Sequence, residues 1–295
     1  MIRFLLLLCG IGGLARGAET AAVWEQTVWR GEKSFVSSSG GWKAIISLER
    51  GRLVFFGPGD TDTNLLFASA ARNDPAGWGG HRLWLGPQAN WSGGWPPPAA
   101  WERSGAESFS QAAGWLRLVL PAAGDGWPRL TRTYGWDGAR LLCGAEISGG
   151  TRAAQIVHII QVPPTSLVDA QPKPEPKVPL GYAQLPSTVT PRLTTDFAPP
   201  PHVTPQGTGL RLRHLGRVQK LGFPPQPLNA QETHFTLRVN RRAPDGTVAN
   251  VPDAGLVTQV YLGGTEPFIE LEQLSPAFSP GTDASFVIEL EGVRD

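Results

Sequence analysis

The chain has 295 residues, of which 36 are Gly, 28 are Pro and one is Met, and only 17% are charged. So much Gly and Pro excludes a helical bundle or a coiled coil, because both are poor helix-interior residues. A hydrophobic fraction of 41% with 11 Trp excludes a wholly disordered chain, and a formal net charge of +1 offers no basic excess for nucleic acid.

The chain opens with Arg3, an apolar run over 4–8, Cys9 and then small residues. A positive start, a short apolar stretch and small residues at a cut site form a secretory signal peptide over 1–17, with Ala15 at −3 and Gly17 at −1. The run falls short of the roughly 20 residues that a spanning helix needs. The expectation is an exported protein, periplasmic or extracellular, with no stable membrane insertion after cleavage. Its mature part, from 18 to 295, keeps one cysteine, Cys143, which can form no internal disulfide. Leu141 and Leu142 beside it predict a buried strand thiol.

Short hydrophobic runs broken by Gly, Asp, Asn or Pro then predict strands over 42–48 and 53–56, with Arg50-Gly51 as the hairpin turn between them. Further strands are predicted over 115–120, 130–134, 140–147, 155–162, 233–239, 255–261, 268–274 and 285–290. About a dozen strands at this spacing imply an all-β, antiparallel sandwich or barrel. Two stretches interrupt the series: 73–101, rich in Gly, Pro and Trp, and 163–205, which holds twelve prolines and reads as mostly loop or extended chain. Neither half closes on its own, so 18–295 is read as one domain with 163–205 as an excursion from it.

No G-x-S-x-G, H-E-x-x-H or C-x-x-C occurs, and no cofactor or metal is predicted. Asp60, Asp62 and Asn64 start like a calcium loop, but the required Gly is missing and Ala71 stands at the terminal Glu position. Three segments remain. Trp78, Trp84, Trp91, Trp95 and Trp101 are interleaved with His81, Arg82, Gln88 and Asn90; sugars offer C–H faces to aromatic rings and hydroxyls to such polar groups. Glu270 and Glu272 project to one face of a strand, where two carboxylates raise at least one pKa and suit acid–base work, although a solvated outer face has the same pattern. His158 and Gln161 lie on an aliphatic strand, on opposite faces unless a bulge intervenes.

In this order, 41–48, Asn64-Leu65-Leu66, 79–84, Trp95-Pro96-Pro97, 158–161, Lys220-Leu221-Gly222 and Tyr261 through 270–276 resemble the galactose-mutarotase-like superfamily. The chain is most similar to a bacterial group of domains of unknown function within it. The resemblance implies a supersandwich of large antiparallel sheets with a sugar-sized groove. It also implies roles: in aldose 1-epimerases a late-strand Glu takes the anomeric hydroxyl proton and a mid-chain His protonates the ring oxygen. Glu270 or Glu272 and His158 occupy those places, and His81, Arg82, Trp84 and Gln161 become substrate-binding candidates. Val157 stands where the family carries Asn before its His. The sequence thus predicts an exported carbohydrate-binding protein whose partner is a mono- or oligosaccharide, with an aldose 1-epimerase-like enzyme as the alternative.

Overall fold

The computed structural model describes residues 22–69, 79–92, 96–170, 183–185, 192–193, 203–206, 209–216, 219–246, 248–250 and 255–295. The segment read as a leader, Trp78, Trp95 and most of 163–205 lie outside these residues.

The short alternating runs fold as antiparallel strands in sheets of four, eight and ten. Helix among the described residues amounts to one turn at Ala99–Glu102 and a 3-10 turn at Gln88–Asn90. The four-stranded sheet is a meander of Glu25–Trp29, Glu32–Ser39, Trp42–Ser47 and Arg52–Pro58. Gly51 supplies a positive φ of 59° in the expected turn between the last two. The eight-stranded sheet runs inward from the edge strand His81–Gly86 through Ala154–Val162, Ile269–Phe278, Thr258–Leu262 and Gln219–Phe223. The ten-stranded sheet has Phe235–Arg241, Ala284–Arg294, Arg140–Ser148 and Arg129–Asp137 at its centre.

One face of the ten-stranded sheet covers both of the others. Against the four-stranded sheet, Trp42 stacks on Phe56 and lies edge-on to Phe235, and a Cβ at Gly292 would come 2.3 Å from the Trp42 ring. Against the eight-stranded sheet, Phe286 and Tyr134 lie edge-on to His158 and His81. A single hydrophobic core fills this layer, and each fully buried side chain such as Phe35, Phe223 or Ile288 contributes roughly 1.5–3 kcal/mol. Cys143 is in it, fully buried on Arg140–Ser148, and burial pushes its thiol pKa up.

Two expectations differ from the structure. The stretch 163–205 contains strands: Leu167–Ala170 and Val203–Gln206 join the ten-stranded sheet, and Ala183–Leu185 and Arg192–Leu193 extend the eight-stranded one. Pro205 is tolerated because Val203–Gln206 is an edge strand, where a missing N–H breaks no ladder. The run read as a strand from 233 begins instead with a turn, Thr233 taking a left-handed φ of 45°, and joins Leu228–Glu232 to Phe235–Arg241.

A bulge marks the centre of the eight-stranded sheet. Val157 stands opposite Leu274, but Gln155 stands opposite Ala277, so Ser275-Pro276 includes an extra position. Pro276 has no N–H for the ladder, and a bulge accommodates it. The Ser275 hydroxyl accepts a hydrogen bond from the Ile156 amide at 2.9 Å.

Candidate functional site

The site is built on the eight-stranded sheet. Gly79 and Gly80, at φ 69° and 74°, lead the chain into His81–Gly86 so closely that a Cβ on Gly80 would lie 2.2 Å from the Leu53 carbonyl oxygen. From there the register is continuous. Arg82 stands opposite Ile159, Ile159 opposite Glu272, Gln161 opposite Glu270, Glu270 opposite Tyr261, and Tyr261 opposite Lys220. Directly opposed residues share a face. One face of the sheet therefore carries Arg82, Trp84, Gln161, Glu270, Glu272, Tyr261 and Lys220. The other, which meets the ten-stranded sheet, carries His81, His158 and Gln273.

On the first face Arg82 joins two carboxylates. Its Nε and Nη2 each lie 3.1 Å from Glu102, and its Nη1 lies 2.7 Å from Glu270 Oε1. Glu102, at the end of the single helical turn, also accepts a bond of 2.8 Å from the Trp84 indole and lies 3.6 Å from Arg52. The Arg82 guanidinium stacks 4.4 Å from the centre of the Trp84 ring. Gln161 donates to the same Glu270 oxygen at 2.9 Å, and Lys220 pairs with Glu272 at 2.8 Å.

Burial alone would push the Glu102 carboxyl up, but Arg52, Arg82 and Trp84 outweigh it and hold it below the usual carboxylate range. Glu270 moves the other way: burial raises it, Arg82 opposes, and neighbouring Glu272 raises it further. Burial would likewise lower Arg82, but Glu102 and Glu270 raise it above the ordinary arginine value. The result is a fixed cation between one firmly ionised carboxylate and one that takes up a proton more readily. Three acceptors remain unused: the buried amide oxygen of Gln161 has no partner, and neither the second oxygen of Glu270 nor that of Glu272 forms a hydrogen bond among the described residues.

The second face holds a different construction. His81 Nε2 and His158 Nδ1 are 2.9 Å apart, and the rings lie within 9° of parallel. His158 Nε2 is 3.1 Å from the Phe286 carbonyl oxygen, which can only accept. In neutral His158, Nε2 thus carries the proton, Nδ1 accepts, and His81 Nε2 donates to it. Arg132 donates to the His81 carbonyl at 2.7 Å. Burial pushes His158 down to about 3 and His81 well below its ordinary value.

The structure thus brings together Arg82, Trp84, Gln161, Glu270 and Glu272, and leaves His81 and His158 apart from them. The twist or bulge needed to carry His81 round to Arg82 is absent from the 81–86 pairing, and Ala154–Val162 pairs without an extra residue from Val157 to Val162, so His158 and Gln161 stay on opposite faces. Both ring nitrogens of His158 are already engaged within the core. Four residues of the site were assigned no role from sequence: Arg52, Glu102, Lys220 and Tyr261. Glu102 could have been noticed as the acid that closes the Trp- and Pro-rich stretch. Among the described residues, no group of three His, Cys, Asp or Glu side chains could hold a metal.

No family model matches the chain. No curated protein matches it either. Solved structures do. A candidate aldose 1-epimerase from Escherichia coli K12 is similar over 92% of this chain and 100% of its own, with 12% identity and a TM-score of 0.62. A candidate mutarotase, YeaD, from Salmonella typhimurium covers 92% of this chain and 94% of its own, with 13% identity and a TM-score of 0.54. A galactose mutarotase related enzyme from Lactobacillus acidophilus covers 88% and 97%, with 9% identity and a TM-score of 0.51. At such identities the likeness defines the fold: this chain is an all-β sandwich of the mutarotase-like kind.

Proposed function

We propose that the chain is an exported carbohydrate-binding protein of mutarotase-like fold, close to the bacterial domains of unknown function that it resembles, and that the Arg82–Glu270 face is its sugar site. The observation that carries this reading is the pair of carboxylate oxygens left without a donor, one on Glu270 and one on Glu272, beside a guanidinium already fixed by Glu102. Sugar hydroxyls are donors of the kind these oxygens lack. A rigid polar face loses little entropy on binding, which favours affinity. Between the two carboxylates of the late strand, this reading gives the leading place to Glu270, because it lies beside the fixed Arg82 guanidinium and its carboxyl takes up a proton more readily than usual.

Calorimetry or ligand-observed NMR with a monosaccharide and glycan panel tests this reading. At least one sugar should bind, and Glu270→Gln should weaken it. Failure of every sugar to bind would overturn it. Export is tested separately by N-terminal sequencing of protein from its own host, where a mature start near Ala18 is expected and an intact Met1 would refute it.

One observation favours a second reading, an aldose 1-epimerase-like enzyme: the raised pKa of Glu270 suits a group that takes up and returns a proton more readily than an ordinary carboxylate. Polarimetry on freshly dissolved aldoses separates the two, since a pure binder leaves the rate of mutarotation at that of buffer.

A further inference from the structure

A polar row crosses four adjacent strands beside the Arg82 cluster. In register, Lys220 stands opposite Tyr261, Tyr261 opposite Glu270, and Glu270 opposite Gln161. Cβ atoms of directly opposed residues are about 4.5–5.5 Å apart. Tyr261 is therefore the cross-strand neighbour of Glu270 on the side away from Gln161. The groups around it are committed: Lys220 to Glu272, Gln161 to Glu270, Arg82 to Glu102 and Glu270. The Tyr261 hydroxyl forms no hydrogen bond among the described residues, and its side chain is half-buried where Gln161 and Glu270 are buried. The row thus opens toward solvent at its Tyr261 end. Burial and the carboxylates of Glu266, Glu270 and Glu272 push the phenol up to about 12, so it stays a donor at any physiological pH.

Resting on the reading of this face as a sugar site, we infer that Tyr261 is the hydrogen-bond donor that faces Glu270 across the bound sugar. The anomeric carbon of a reducing sugar carries two oxygens, a hydroxyl that can donate and a ring oxygen that can only accept. Glu270 accepts from the first and Tyr261 donates to the second. A cross-strand pair spans this single carbon, which His158 on the opposite face does not reach. If the bound sugar opens, Glu270 takes the hydroxyl proton, the C1–ring oxygen bond breaks as the C1 carbonyl forms, and the ring oxygen receives the Tyr261 proton. Closure on either face of the carbonyl returns both protons, so no co-reactant is consumed.

The test uses the sugar that the wild type binds best in the panel. Tyr261→Phe keeps the ring and removes a hydroxyl that holds nothing else. Its urea midpoint should match the wild type, while affinity falls about fivefold to tenfold, the worth of one neutral hydrogen bond. Any acceleration of anomer exchange should fall by about 10²–10⁴. The chain has three tyrosines. With labelled tyrosine, the Tyr261 signal should shift on adding sugar while that of core Tyr134 stays in place. If Glu270→Gln weakens binding but Tyr261→Phe binds like the wild type, and the Tyr261 signal of the wild type stays still on adding sugar, the sugar site stands and the role of Tyr261 is refuted. If the wild type binds no sugar, the reading of the site fails and this inference falls with it.

Discussion

Replacing Arg82 by Met removes a buried cation and keeps much of its bulk. Arg82 makes three charge-assisted contacts to two carboxylates, and all three side chains are less than a tenth exposed: 8% for Arg82, 8% for Glu102 and 7% for Glu270. Glu102 retains Arg52 and Trp84, but Glu270 retains only the Gln161 amide as a hydrogen-bond donor and the charge of Lys220, which is already paired with Glu272. Breaking a buried pair by removing one partner costs about 3–5 kcal/mol, far more than the pair itself is worth, because a charge is left buried alone. The loss should depend on pH in a defined direction. The Glu270 carboxyl already lies above its ordinary value, and losing Arg82 raises it further. A carboxylate raised in the folded state gives stability that is complete below its unfolded pKa and is lost as pH rises through the folded one. The variant should therefore recover toward the wild type between pH 7.5 and 5.5, by at most about 1.4 kcal/mol per pH unit. Urea titrations followed by Trp fluorescence at both pH values measure this, and the Arg82→Met/Glu270→Gln double variant should regain much of the loss at pH 7.5. A single variant within about 1 kcal/mol of the wild type at pH 7.5, with no recovery at 5.5, would refute the view of Arg82 as the charge that permits both carboxylates.

His158→Gln should leave sugar affinity and any anomer interconversion unchanged, since His158 is on the core face; a parallel loss in a folded variant would return His158 to the site. Wild-type stability should also fall as pH drops from about 6.5 toward 3. The folded His158 resists protonation until about 3, so its contribution is complete above the unfolded value and is lost by up to about 1.4 kcal/mol per unit below it. Urea midpoints at pH 7 and 5 should show that slope in the wild type and less of it in His158→Gln. Gly80→Ala should lower the thermal midpoint, by at least the 1–3 kcal/mol or so that a strained backbone costs, because its Cβ would lie 2.2 Å from the Leu53 carbonyl oxygen at a φ of 74°; an unchanged midpoint would contradict the close approach.

The sequence was informative where chemistry alternates residue by residue. Glu270 and Glu272 could be assigned to one face, and Arg82 to the face of Trp84, because strand geometry fixes parity. Parity does not say what covers a face. All nine residues of Ala154–Val162 are buried, so nothing in its pattern distinguished the side of His158 from that of Gln161. That choice was made by the ten-stranded sheet, whose Phe286 lies far off in sequence. Glu102 was harder still. Its partners Arg52, Arg82 and Trp84 come from two different sheets, and local sequence shows only an acid after three prolines. Trp84, Trp91 and Trp101 read equally as sugar platforms or as core; all three are buried, and Trp101 packs edge-on to Trp127.

The bulge at Ser275-Pro276 ties the site to the core through a count of residues. Before it, odd-numbered positions of Ile269–Phe278 face inward and Glu270 and Glu272 face the same side as Arg82. After it, Phe278 stands opposite Ala154, which has the parity of His158, so an even-numbered side chain now faces inward. One strand thus runs in two phases, joined where the proline stands. Deleting Pro276 would remove the extra residue and leave a regular strand with the carboxylates still outside and Phe278 still inside, whereas inserting one residue beside it, with the bulge kept, would turn one half over. A one-residue loss is therefore open to this strand only at the bulge, whereas the loop at 263–268 that feeds it can change length without altering either phase.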